Sequence, residues 1–136
     1  YLLSVLNKTN TILNYNIYFK EHPLSKLGNI KCNFKYKFID DQFIKEDYNL
    51  IICTNRTTAQ IDFLSSGFKV AILLEPNSFN FSPLKGNQEC DFFKGSDDLT
   101  KILNNKIDIN TNIIKNDFFL TDKNYKEWNK ILYEKK

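Results

Sequence analysis

Apolar residues in this 136-residue chain come in short runs separated by polar turns, and the period of the pattern changes along it. The organising stretch is Tyr48 to Gly67. Leu50-Ile51-Ile52-Cys53 is a short, β-branched apolar run that predicts a buried strand over 49–53. It stops at Thr54-Asn55-Arg56-Thr57-Thr58, five polar residues suited to turns and caps. Thr57, Ile61 and Leu64 then fall on one helical face, with Ala59 and Phe63 beside them, predicting a helix over 56–66. Gly67 sits where a helix C′ residue with positive φ belongs. Val70-Ala71-Ile72-Leu73-Leu74 follows as a second strand, 69–74.

The same reading extends to the rest of the chain. Leu2, Val5, Leu6, Ile12 and Leu13 predict a helix within residues 1–14. Asn16–Phe19 is a short strand ended by Lys20-Glu21-His22-Pro23, because proline removes a ladder donor. Tyr36–Ile39 alternates as a strand and ends in Asp40-Asp41. Glu75 to Gln88 is a long loop dense in Pro, Asn, Ser and Gly, followed by a strand at Cys90–Phe93. Ser96 is the expected N-cap of a helix reaching about Asn104. Asp122 caps a last helix, Tyr125 to Tyr133, with Trp128 as a packing anchor.

Strands alternating with helices predict an α/β fold: a three-layer, Rossmann-like or flavodoxin-like parallel sheet in the order 2-1-3-4-5. Residues 1–136 read as one domain, with neither an internal repeat nor a second boundary. In such sheets ligands bind beyond the carboxyl ends of the strands. Three polar clusters reach that edge: Lys20–Pro23, Thr54–Thr58 and Glu75–Gly86.

Composition removes several function classes. The net charge of +3 is spread among 19 basic and 16 acidic residues, which argues against a nucleic-acid surface. The 3 cysteines, Cys32, Cys53 and Cys90, lack C-x-x-C spacing, so reduced thiols are expected rather than disulfides or a metal site. Three glycosylation sequons, at Asn7, Asn55 and Asn80, are expected by chance in so Asn-rich a chain. P-loop, G-x-G-x-x-G, G-x-S-x-G and H-E-x-x-H motifs are absent from the sequence. Tyr1 is no natural initiator, which leads us to expect a piece of a longer, two-domain protein.

The candidate chemistry is phosphate binding. Arg56 is the only arginine, and it lies in a turn between a strand end and a helix start, where N–H groups favour anions. Thr57 and Thr58 add hydroxyls, and Lys20 is placed to neutralise a diphosphate. His22, the sole histidine, is the candidate for acid–base work. Glu75 is suited to accept hydrogen bonds from a ribose, and Asn80 and Ser82 to bind a phosphate or hydroxyl. Asp62 on the helix reads as a solvated face.

Lys20-Glu21-His22-Pro23, followed by a strand into Asn55-Arg56-Thr57-Thr58-Ala59-Gln60-Ile61-Asp62, resembles the carboxyl-terminal half of GT-B glycosyltransferases. Those enzymes carry a K-x-H-P turn and a polar turn that cradles the nucleotide-sugar diphosphate. Asn80-Phe81-Ser82-Pro83-Leu84-Lys85-Gly86 and Asp117-Phe118-Phe119-Leu120-Thr121-Asp122 further resemble a family of bacterial surface-carbohydrate biosynthesis proteins. The resemblance implies that Lys20, His22, Asn55, Arg56, Thr57, Thr58, Asp62, Asn80 and Ser82 line a donor site. Asp62 would grip the ribose, one methylene shorter than the family's glutamate.

It also implies a nucleotide-diphosphate sugar as donor, with neither metal nor cofactor, and a separate amino-terminal acceptor domain. Residues 1–136 alone are then expected to be inactive. The setting would be cytoplasmic, with peripheral membrane association of the full-length protein. A CDP-polyol phosphotransferase of the teichoic-acid type is the alternative enzyme reading, on Asp62-Phe63-Leu64. A flavodoxin-like binding module without catalysis ranks last, since Asp40-Asp41 supplies only part of a phosphate receiver's acidic set.

Overall fold

A computed structural model describes residues 1–21, 28, 30–39 and 48–105. His22, Asp40-Asp41 and the expected last helix with Trp128 lie outside the described residues. In chain order the elements are α1 (Leu2–Lys8), a 3-10 turn (Asn10–Asn14), β1 (Ile17–Phe19), β2 (Tyr36–Phe38), β3 (Ile51–Thr54), α2 (Ala59–Ser65), β4 (Val70–Leu73), β5 (Asp91–Phe93) and α3 (Ser96–Asn104). The fold is α/β, and every strand pair is parallel.

The strands form two small sheets, β1-β2 and β3-β4-β5. In the larger one Thr54 registers with Leu73, and Leu73 with Phe93, so three strands end on one edge. All four residues of β4 are fully buried. Alternation of side chains divides them: Val70 and Ile72 enter a cluster with Cys53, Leu64, Phe68, Leu84 and Cys90. Ala71 and Leu73 enter the opposite cluster, with Val5, Leu6, Ile12, Phe93, Leu99, Ile102 and Leu103. Thus α2 covers one face of this sheet, and α1, the 3-10 turn and α3 cover the other.

The second cluster also takes in Ile17, Phe19 and Tyr36 from the two-stranded sheet and Leu50 and Ile52 beside it. Both sheets therefore share one core. Tyr18 meets Tyr48 edge-to-face at 5.6 Å, and residues at the starts of β1 and β3, among them Asn16, Ile17, Tyr48 and Asn49, line a common cleft of about 290 Å³.

Local chemistry explains where elements stop. The helix expected across 1–14 breaks at Thr9, whose buried hydroxyl donates to the Val5 carbonyl at 2.8 Å. The Thr9 N–H bonds Leu6 instead, so the next turn tightens to 3-10 geometry. Gly67 has φ +79 as expected, and closes α2 in a Schellman motif: Gly67 N–H donates to Leu64 and Phe68 N–H to Phe63. Phe63 and Phe68 complete it as an edge-to-face pair at 5.8 Å. The N-cap of α3 is Gly95 rather than Ser96, since the Gly95 carbonyl accepts the first helical bond, from Leu99. Asp98 reaches back to the Lys94 N–H at 3.2 Å, and the first-turn acids Asp97 and Asp98 suit the helix dipole.

All three cysteines are free thiols. Burial pushes Cys53 up to about 12. Because its folded value lies above the ordinary one of 9.0, the stability it contributes is full below that pH and is lost as pH rises toward about 12. Native Cys53 should therefore resist alkylation, with half-buried Cys32 reacting first. Mass mapping after iodoacetamide treatment, with and without denaturant, checks this; equal labelling of both in the native state would contradict it.

Candidate functional site

The Thr54–Thr58 turn leaves β3 beside the end of β4, where the Asn55 N–H donates to the Leu73 carbonyl at 3.2 Å. Asn55 is fully buried. Its Nδ2 donates to the Phe79 carbonyl at 2.9 Å, while its Oδ1 is buried without a hydrogen-bond partner among the described residues. The Thr57 hydroxyl accepts from the Ala59 N–H at 3.2 Å, and Thr58 is exposed. One of the helix-start donors expected to face an anion is thus already used, which weakens the pull of the short α2.

Gln60 is the residue that sequence reasoning missed. It is fully buried on α2, donates from Nε2 to the Thr57 carbonyl, and accepts at Oε1 from the Ser82 hydroxyl at 2.6 Å. One amide therefore joins the turn to the long loop. Ser82 Oγ also accepts from the Leu84 N–H at 3.1 Å, and Leu84 is fully buried as the loop's apolar anchor. Asn80 Oδ1 accepts from the Ser82 N–H at 2.9 Å. Asn80 and Ser82, expected to hold ligand, fold the loop; Ser82 is buried. The sequence signal for Gln60 was its position four residues before Leu64, on the same buried face.

Arg56 and Glu75 come together on the rim. Arg56 Nη2 lies 3.6 Å from Glu75 Oε2, with the arginine side chain 64% exposed. An exposed pair of this kind contributes about 0–1 kcal/mol, so it sets the two charges side by side without holding the guanidinium, whose donors remain for another acceptor. Pro76 and Asn77, the latter at φ +59, turn the chain after Glu75, as a type II turn requires. Of the remaining expected residues, Lys20 is exposed just after β1, and Asp62 is exposed on α2. Thr54, Asn55, Arg56, Thr57, Glu75, Asn80 and Ser82 are therefore gathered at one edge, and His22 lies outside the described residues.

Among the described residues no group of three His, Cys, Asp or Glu side chains is arranged to hold a metal ion. No described helix is long and apolar enough to cross a membrane. Comparison with protein-family models, curated proteins and solved structures finds no match.

Proposed function

We propose that this chain is the nucleotide-sugar-binding domain of a glycosyltransferase in bacterial surface polysaccharide biosynthesis, of the lipopolysaccharide or capsule kind. The observation that carries the reading is the locked carboxyl-edge rim, where Asn55 and Gln60 fasten the turn to the loop and Arg56 and Glu75 stand together. Parallel α/β sheets bind ligands at this edge. The finer topology is part of the proposal: β1 lies beside β3, giving one Rossmann-like sheet in the order 2-1-3-4-5. The shared core and the Tyr18–Tyr48 contact support it.

Arg56 would fork the diphosphate, Glu75 would accept from the ribose, and Thr57 and Thr58 would add hydroxyl contacts. Lys20 would neutralise charge, and His22 is the candidate acid or base. Catalysis would be mostly positioning and stabilisation of the leaving nucleotide diphosphate, without metal or cofactor. The acceptor would come from a separate amino-terminal domain, at the cytoplasmic face of the membrane.

An arginine–phosphate fork is a charge-assisted contact of about 1.5–3 kcal/mol, so Arg56→Ala should weaken nucleotide diphosphate binding roughly ten- to hundredfold. Arg56→Lys should recover only part, because lysine is a point charge. Calorimetric titration of the variants with UDP, CDP and GDP tests this. Equal affinities in all three proteins would overturn the assignment.

A further inference from the structure

Two phenylalanines on the rim are exposed in a way that folding does not explain. Phe79 is 82% and Phe81 64% exposed, yet the backbone carrying them is tied down at several points. The Phe79 carbonyl accepts from Asn55 Nδ2 at 2.9 Å and from the Ser78 hydroxyl at 3.2 Å. Between and after the rings, Asn80 holds the Ser82 N–H and Gln60 holds the Ser82 hydroxyl. The anchoring amides, Asn55 and Gln60, are both fully buried, and Asn55 keeps a buried oxygen without a partner among the described residues. Burying amides is unfavourable, and an unpaired one more so. The loop already has an apolar anchor in Leu84. What the extra polar burial secures is the backbone that carries two rings into water.

The rings touch each other edge-to-face, with centroids 6.2 Å apart and planes at 69°. That geometry satisfies one edge and leaves ring faces open. Their neighbours narrow the choice of occupant. Asn55, bonded to the Phe79 carbonyl, immediately precedes Arg56, and Glu75 opens the same loop and pairs with Arg56. Aromatic rings, a guanidinium and a carboxylate are thus carried on one rim. Together they offer the kinds of contact that the base, phosphate and ribose diol of one nucleotide need. A membrane-docking loop would instead surround its apolar residues with cations. This loop carries Glu75 and Lys85, with no basic cluster.

We propose that Phe79 and Phe81 form a stacking shelf for the base of a nucleoside diphosphate. The inference rests on the nucleotide reading above and adds to it the residues that recognise the base. Stacking of one base on an aromatic side chain changes affinity by roughly ten- to hundredfold. The test compares UDP, CDP, GDP and inorganic diphosphate by calorimetry on the wild-type chain, on F79A/F81A and on F79L/F81L. All substituted positions are exposed, so the fold should persist, as circular dichroism would verify.

The shelf predicts that wild type binds the nucleotides at least tenfold more tightly than inorganic diphosphate. F79A/F81A should remove that difference and leave diphosphate affinity unchanged. F79L/F81L should restore little, since leucine has no π face. Nucleotide affinity unaltered in F79A/F81A overturns the shelf and leaves the phosphate site standing. Failure of wild type to bind both nucleotide and diphosphate overturns the nucleotide reading and the shelf with it. Loss of binding to anionic phosphatidylserine vesicles in F79A/F81A, with nucleotide affinity intact, would assign the rings to a membrane surface and overturn the proposal.

Discussion

Gln60→Ala is expected to destabilise the chain by about 2–4 kcal/mol and to release the 75–88 loop from the turn, because each buried group it leaves unpaired costs about 1–3 kcal/mol. The substitution strips a partner from the Thr57 carbonyl and from the Ser82 hydroxyl, and removes a fully buried side chain. Ser82 Oγ still accepts from the Leu84 N–H but loses the acceptor of its own proton, whereas the Thr57 carbonyl is only part-buried, which holds the loss below the sum of two full penalties. Urea unfolding reads the stability, and amide exchange at Ser82 and Leu84 reads the loop. Gln60→Glu should behave differently with pH. A carboxylate can still accept from Ser82 but cannot donate to the Thr57 carbonyl unless protonated. Its folded pKa should lie above the unfolded value of about 4.3, so the variant loses stability as pH rises through that range. Unfolding of Gln60→Ala at the wild-type urea midpoint would contradict this account of the rim.

Leu73→Ala should cost about 2–5 kcal/mol, in the upper half of that range if the cavity cannot collapse. Leu73 is fully buried at the end of the central strand, in the cluster that α1, α3, β5 and the two-stranded sheet share. Rigid strands flank it on both sides, since Leu73 registers with Thr54 and with Phe93. Domains of this size have about 5–15 kcal/mol of total stability, so the change removes a large share. Leu73→Ile, which conserves volume, should cost less than about 1.5 kcal/mol. Equal unfolding midpoints for the alanine and isoleucine variants would show that Leu73 is not a packing centre.

The sequence made the periodic parts of this fold legible and hid the polar ones. The β4 run is apolar at every position because both of its faces are covered, and continuous burial needs no alternation to be recognised. Gly67 was readable because the left-handed conformation at C′ favours glycine strongly. Boundaries were less legible. The helix expected from residue 56 begins at Ala59, because Thr57 and Thr58 form the entry turn. At Thr9 the chain leaves the helix where its hydroxyl donates to the Val5 carbonyl, at the start of Thr9-Asn10-Thr11, a run of weak helix formers.

The residue types Thr, Asn, Arg and Ser marked a polar cluster at the carboxyl edge of the sheet, but their division of labour was hidden. Whether a polar side chain faces ligand or holds a loop depends on contacts more than twenty residues apart, such as Asn55 to Phe79 and Ser82 to Gln60. Phe79 and Phe81 carried no such signal, since exposure is not a property of sequence.

Under the proposed function, the rim formed by the Thr54–Thr58 turn and the 75–88 loop binds a nucleoside diphosphate. The most direct measurement is an NMR titration of the chain with UDP, CDP and GDP. The predicted result is a saturable set of amide shifts at Thr54–Thr58, extending to Glu75–Ser82 and Lys20, and diminished in Arg56→Ala. No shift at Thr54–Thr58 with any of the three at millimolar ligand would contradict the claim.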